Sequence, residues 1–300
     1  MDMNQPSVIE ASAAARSAAS QGRDRSIGAI LIDSGRLDVE SAERIIREQK
    51  AKGLRFGDAA ISLGLLNQAD IDFALARQFD YPYLSPADES LSEKLIAAFN
   101  PFSPAVEQLR ALRSQLMVRW FSDDVAQKAL AIVSPDRGDG RSYIAANLAI
   151  VFSQLGERTL LIDADLRNPT QDKLFKLDPR GSGLSAVLSG RANGEAVVRI
   201  PSLVGLSVLP AGAVPPNPQE LLSRPQFSRL IEQASKSFDA IIIDTPSAST
   251  GADAQVASAR AGASLVVARR DYTSADQLHA LSGSLAGSRA QLLGSVLNAY

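Results

Sequence analysis

Three short apolar runs, each closed by an acid or a glycine-rich turn, restrict this chain more than any other feature of it. Ala129–Val133 leads into Ser134-Pro135-Asp136-Arg137-Gly138-Asp139-Gly140-Arg141-Ser142, Leu160-Leu161-Ile162 ends in Asp163-Ala164-Asp165, and Ile241-Ile242-Ile243 ends in Asp244. Apolar runs without alternation suit strands buried on both faces, which implies a parallel sheet covered by helices. Strands are expected at 129–133, 159–162, 206–209, 240–243, 264–268 and 292–297, with helices at 142–154, 218–222, 226–235 and 275–284. The expected fold class is α/β, a doubly wound and mostly parallel sheet.

The same three runs carry the candidate chemistry. A strand, a glycine-rich turn and a helix amino terminus make an anion site, because unpaired N–H groups converge where the helix dipole favours negative charge. Phosphate is the natural ligand. The strict pattern for such a loop has Gly six positions before a Lys, and here Pro135 and Arg141 stand in those places. Residues at i and i+2 of an extended segment point the same way, so Asp163 and Asp165 can address one site at the carboxyl end of a strand. Mg²⁺ binds such carboxylates beside phosphate oxygens, and Asp244 ends a third strand in the same manner.

Upstream, the chain repeats itself. Ser26-Ile27-Gly28 aligns with Arg55-Phe56-Gly57, and Gly35/Gly64, Leu37/Leu66 and Gln49/Gln78 follow at the same offset. Asp38 and Asn67 are each placed to cap an amphipathic helix, with Ala42, Ile45 and Ile46, or Ile71, Ala74 and Leu75, on one face. A small all-α domain over 25–84 is therefore expected, after a disordered tail at 1–24. Pro82, Pro86, Pro101 and Pro104 suggest a linker at 85–104, leaving 105–300 for the α/β domain.

Composition narrows the function. With 31 Lys+Arg against 33 Asp+Glu, the net charge of −2 gives no bulk drive toward nucleic acid. The chain has no Cys and one His, which excludes disulfides and leaves no set of soft ligands for zinc. The best apolar run, 144–155, is interrupted by Asn147, Ser153 and Gln154, so no direct membrane span is expected and membrane association falls to a partner.

The segments Ile162-Asp163-Ala164-Asp165-Leu166-Arg167-Asn168-Pro169, Asn217-Pro218-Gln219-Glu220-Leu221-Leu222 and Phe238-Asp239-Ala240-Ile241-Ile242-Ile243-Asp244-Thr245-Pro246 resemble the bacterial tyrosine autokinases of polysaccharide chain-length control, in the MinD/ParA branch of P-loop ATPases. A short helical domain before this unit is most similar to the EpsG type. The resemblance implies a cytoplasmic ATP- and Mg²⁺-dependent kinase, peripheral to the inner membrane through a transmembrane polysaccharide co-polymerase. It implies that Gly138, Asp139, Gly140, Arg141, Ser142 and Tyr143 surround the phosphates, with Arg167 near them and Asn298 at adenine. It further implies that the Ser142 hydroxyl sits on the metal, that Asp163 and Asp165 organise the metal and the attacking hydroxyl, and that Asp244 holds the metal through its outer shell, with Arg141, Asp163, Asp165 and Asp244 as the catalytic set. Glu107, Arg110 and Arg113 resemble the family's Glu-x-x-Arg-x-x-Arg helix, which implies a homo-oligomer.

Two departures bear on activity: Arg141 replaces the phosphate-binding Lys, and Tyr272 and Tyr300 are the only tyrosines after Tyr143, where the family carries an acceptor cluster. An ATP-binding regulatory subunit with little or no transfer is the alternative. A partitioning ATPase needs a second Lys early in the loop, where Asp136 stands. The repeat resembles the cyclic di-GMP-binding domain of type II secretion and pilus ATPases. That resemblance implies ligand contacts from Arg25, Gly28, Gly35, Arg55, Gly57 and Gly64, with Ser26 where the first motif has Arg.

Overall fold

The computed structural model of the protein describes residues 26–78, 84, 88–122, 124–288 and 290–299. The expected tail, Arg25 and Tyr300 lie outside these described residues. The chain divides into two compact units, Met1–Tyr83 and Leu84–Tyr300.

The first unit holds helices α1 (Ile27–Asp33), α2 (Val39–Lys52), α3 (Phe56–Ser62) and α4 (Gln68–Gln78). The sequence repeat is a structural one, since the step from the start of α1 at Ile27 to that of α3 at Phe56 equals the step from α2 at Val39 to α4 at Gln68. Asp38 caps α2 by accepting from the Ser41 N–H at 2.8 Å, as the pattern suggested. Gly35 and Gly64 follow α1 and α3 at φ +70° and +66°, a left-handed stop that costs glycine nothing. Leu31, Ile45, Ala59, Ala60 and Ala74 are fully buried between the helices. Ile46, expected on that face, is 42% exposed because the buried stripe of α2 runs through Ala42 and Ile45 instead.

The second unit opens with α5 (Ile96–Phe99) and α6 (Pro104–Arg119). It continues through β1 (Ala129–Val133), α7 (Arg141–Gln154), β2 (Thr159–Asp163), α8 (Gln171–Leu174), α9 (Leu184–Leu188), β3 (Val198–Arg199) and β4 (Leu206–Leu209). Then come α10 (Pro218–Ser223), α11 (Pro225–Ala234), β5 (Ala240–Asp244), α12 (Asp253–Ala261), β6 (Ala263–Arg269), α13 (Ala275–Ala286) and β7 (Gln291–Asn298). The strands form one sheet in the order β3-β4-β2-β5-β1-β6-β7, parallel everywhere except between β3 and β4. This is the doubly wound α/β class that the apolar runs implied.

The segment expected as a linker is packed from Leu91 onward. Leu91, Leu95, Ala97 and Ala98 share one core with Leu130, Ile150 and Ile242, and Pro104 sits in the first turn of α6 rather than breaking a helix. Asn147 of α7 explains the attachment. It is fully buried, its Oδ1 accepts from the Ala97 N–H at 2.9 Å, and its Nδ2 donates to the carbonyls of Lys94 and Tyr143 at 3.1 and 3.0 Å. Helix α7 is buried on most of its surface because the sheet covers one side while α5 and α6 cover the other.

Asn147→Ala would leave the buried Ala97 N–H without an acceptor, at a cost of about 2 kcal/mol. Urea unfolding followed by fluorescence of Trp120, the single and buried tryptophan, should show that loss as a lower midpoint. An unchanged midpoint would mean that the segment is held by its apolar contacts alone.

Candidate active site

Between Val133 and Arg141 the chain turns through a loop that leaves the start of α7 open. Gly140 precedes α7 at φ +100° and places no side chain over its first turn, so the leading N–H groups stay available to an anion. A side chain at 140 would overlap Asn298, whose Nδ2 donates to the Asp139 carbonyl at 3.0 Å. Asp139 is fully buried, and its carboxylate accepts from the Asp136 N–H at 2.9 Å and from the Thr273 hydroxyl at 2.8 Å. Its carboxylate braces the loop, so only its backbone is left for a phosphate.

Parallel register supplies the acids. Asp163 at the end of β2 stands opposite Asp244 at the end of β5, and both are fully buried. Asp163 accepts from the N–H groups of Asp165, Thr170 and Gln171 at 3.1, 3.1 and 3.0 Å. Asp244 accepts from Gln171 Nε2 at 2.8 Å, while its Oδ1 has no hydrogen-bond partner. Burial, and then the Asp244 charge, push Asp163 well above the usual carboxylate range. Burial pushes Asp244 up to about 6 against the pull of the Arg141 guanidinium. Asp165 is also raised by burial, although the N–H groups of Asn168 and Arg167 bond to it at 2.9 and 3.2 Å.

Two buried carboxylates side by side, one with an orphaned oxygen, are hard donors suited to Mg²⁺. Among the described residues, no group of three or more His, Cys, Asp or Glu side chains is set to hold a metal alone. An ion here would draw its remaining oxygens from a bound phosphate and water.

Arg141 is occupied by the protein itself. Its Nε donates to the Thr245 carbonyl at 2.8 Å, its Nη1 to Ser134 Oγ at 2.5 Å and to the Asp136 carbonyl at 2.9 Å, and its Nη2 lies 4.0 Å from Asp165. Arg167, expected beside the phosphates, instead pairs with the buried Asp253 at the start of α12, at 3.2 and 3.1 Å. Tyr143 and Asn298 do come together with the loop. With Gly138, Gly140, Lys94 and Arg269 they line a cleft of about 560 Å³. Sequence reading missed Gln171, Lys94 and Arg269, whose places depend on how distant segments meet and which carry no local signal.

On α6, Glu107 is exposed and paired with Arg110 at 2.9 Å, while Arg113 donates to the Val151 carbonyl at 2.7 Å. In the repeat, a side chain at Gly28 would crowd the Phe56 ring and one at Gly57 would crowd Ile71. Helix packing therefore accounts for these two glycines, which were expected to admit a ligand. Arg55 is exposed at the start of α3 and caps no helix N–H.

A family profile described as "Cellulose biosynthesis protein BcsQ" matches residues 128–292. The chain is 37% identical over 208 residues to tyrosine-protein kinase YwqD of Bacillus subtilis strain 168, covering 69% of this chain and 86% of that protein. It is 33% identical over 203 residues to tyrosine-protein kinase etk of Escherichia coli K12, covering 68% of this chain but 28% of that longer protein. The solved kinase domain of E. coli ETK matches with a TM-score of 0.64 at 32% identity, over 68% of this chain and 79% of that one. The cell division ATPase MinD of Pyrococcus furiosus matches with a TM-score of 0.50 at 25% identity, over 57% of this chain and 72% of that one.

Since the folded value of Asp244 lies above the ordinary 3.8, its proton stabilises the folded state, and that stability is lost as pH rises through about 6. In nucleotide-free protein without divalent cation, Asp244→Asn should melt close to the wild type at about pH 4.5 and above it at about pH 7.5. Scanning fluorimetry across that range checks the sign, and a gap that does not widen with pH would contradict it.

Proposed function

This chain belongs to the bacterial tyrosine-protein kinases of the MinD/ParA P-loop family, and on that premise we propose that it is an ATP- and Mg²⁺-dependent protein-tyrosine autokinase of the EpsG type. In this reading it regulates exopolysaccharide chain length, polymerisation and export together with a transmembrane co-polymerase. The observation that carries the reading is the Asp163/Asp244 pair at the carboxyl ends of neighbouring strands, beside an open helix amino terminus. Backbone N–H groups from Gly138 to Ser142 take the phosphates, and the cleft at Tyr143 and Asn298 takes the adenine. Ser142, Asp163 and Asp244 hold Mg²⁺, which when bound neutralises phosphate charge. Asp165, at 6% exposure the least buried of the three acids, takes the phenolic proton. As it does, the tyrosine oxygen bonds to the γ-phosphorus and the bond to the ADP oxygen breaks.

The proposal places the protein in the cytoplasm, at the inner membrane through its partner, and as a homo-oligomer contacting through Glu107, Arg110 and Arg113. No helix among the described residues is long and apolar enough to cross a membrane.

One observation favours the second reading, an ATP-binding regulatory subunit: three hydrogen bonds already hold the Arg141 guanidinium to protein acceptors. Incubation with ATP and Mg²⁺, alone and with the cytoplasmic segments of the co-polymerase, separates the two. Phosphotyrosine is expected, abolished in Asp163→Asn and retained or increased in Arg141→Lys. None under either condition would favour the regulatory subunit.

The amino-terminal unit is proposed to bind cyclic di-GMP through Arg25 and Arg55, because an Arg fork matches the O6 and N7 edge of guanine. Calorimetry on the full chain should show Arg55→Ala binding at least about tenfold more weakly, a loss in line with one bidentate contact. No heat with the wild type would leave this unit as a protein-docking module.

A further inference from the structure

Gln171 is the residue on which the three parts of the site meet, and nothing in the local sequence marks it. Its backbone N–H donates to Asp163 at 3.0 Å, and its side-chain Nε2 donates both to Asp244 Oδ2 at 2.8 Å and to the Ser142 carbonyl at 3.1 Å. The Ser142 carbonyl only accepts, as does Asp244 when ionised, so the amide cannot be turned round and the identity of Nε2 is fixed. The other end, Oε1, is then an acceptor held in place. It is buried without a hydrogen-bond partner, in a residue with no solvent exposure, and Asp244 Oδ1 is orphaned in the same way. Buried polar atoms are rarely left unpaired, and two in one site imply a group that brings donors or positive charge.

We propose that Gln171 is a positioning residue for the metal of the kinase site. Its Nε2 pins Asp244 by Oδ2 so that Oδ1 faces the cation, and its Oε1 accepts a hydrogen bond from water on that cation. This rests on the reading that the site takes Mg²⁺ with a nucleotide. Outer partners of this kind commonly change metal affinity by about 10- to 100-fold.

The test is isothermal titration calorimetry of ADP against the full chain, in EDTA and across a range of Mg²⁺ concentrations. Gln171→Met keeps the volume and removes both polar ends. It is expected to need about tenfold more Mg²⁺ to tighten ADP binding, with metal-free ADP binding unchanged. Equal losses with and without Mg²⁺ in Gln171→Met would assign a purely structural role and overturn the proposal. A wild type in which Mg²⁺ does not tighten ADP binding would overturn the reading of the site and this inference with it. A wild-type Mg²⁺ effect that Gln171→Met leaves intact would overturn the inference alone.

Discussion

The site depends on the register between β2 and β5. Along these strands Leu160, Ile162, Ile241 and Ile243 enter one core, while Leu161 and Ile242 enter the other, which also contains Ile144 and Leu148 of α7. Asp163 and Asp244 continue the second series, so both carboxylates emerge on the α7 side of the sheet, beside Ser142. A slip of one residue in either strand would send one acid to the opposite face and expose apolar side chains to compensate. The apolar pattern that stabilises the sheet thus also aims the chemistry.

Holding two carboxylates dry and adjacent is unfavourable, and the surroundings are arranged to offset it. Backbone N–H groups from three residues converge on Asp163, Gln171 bonds to Asp244, and the open start of α7 adds the positive end of a helix dipole. What is left uncompensated is the charge itself, which is why both acids lie above their ordinary range. A site in that condition gains from a proton or from a divalent cation. The same imbalance would make binding of the proposed metal and nucleotide favourable.

Elements bounded by clear chemistry were legible. β1 and β4 have the limits that their apolar runs suggest, and the constant offset of the repeat reappears in the starts of α1 and α3. β3 was not legible, because it is two exposed residues whose only strand feature is pairing with β4. The linker reading failed for a related reason. Prolines and serines at 85–104 suggested a loop, yet Leu91 and Leu95 are buried because α7 needs cover on its outer side, a requirement set by the sheet and invisible in the segment itself. Gln171 and Asp253 belong to this class too, since each acquires its role from a partner 73 or 86 residues away.

Arg141 shows how a departure from a motif can be consistent with the residues around it. A lysine ammonium is a compact charge on a flexible stem, suited to following a phosphate, whereas a guanidinium is a planar fork that favours fixed acceptors. This loop offers such acceptors on several sides: the Thr245 carbonyl, Ser134 Oγ and the Asp136 carbonyl. Asp136 in turn is fixed to the exit of β5 by the Ser249 hydroxyl at 2.8 Å. The loop is therefore tied to the strand that carries Asp244 before any ligand arrives. In the proposed reading, phosphate recognition passes to the backbone, whose N–H groups do not depend on the side chain at 141. If the proposed transfer takes place here, a fork that closes the loop on itself gives up reach toward the phosphate in exchange for a preformed cradle.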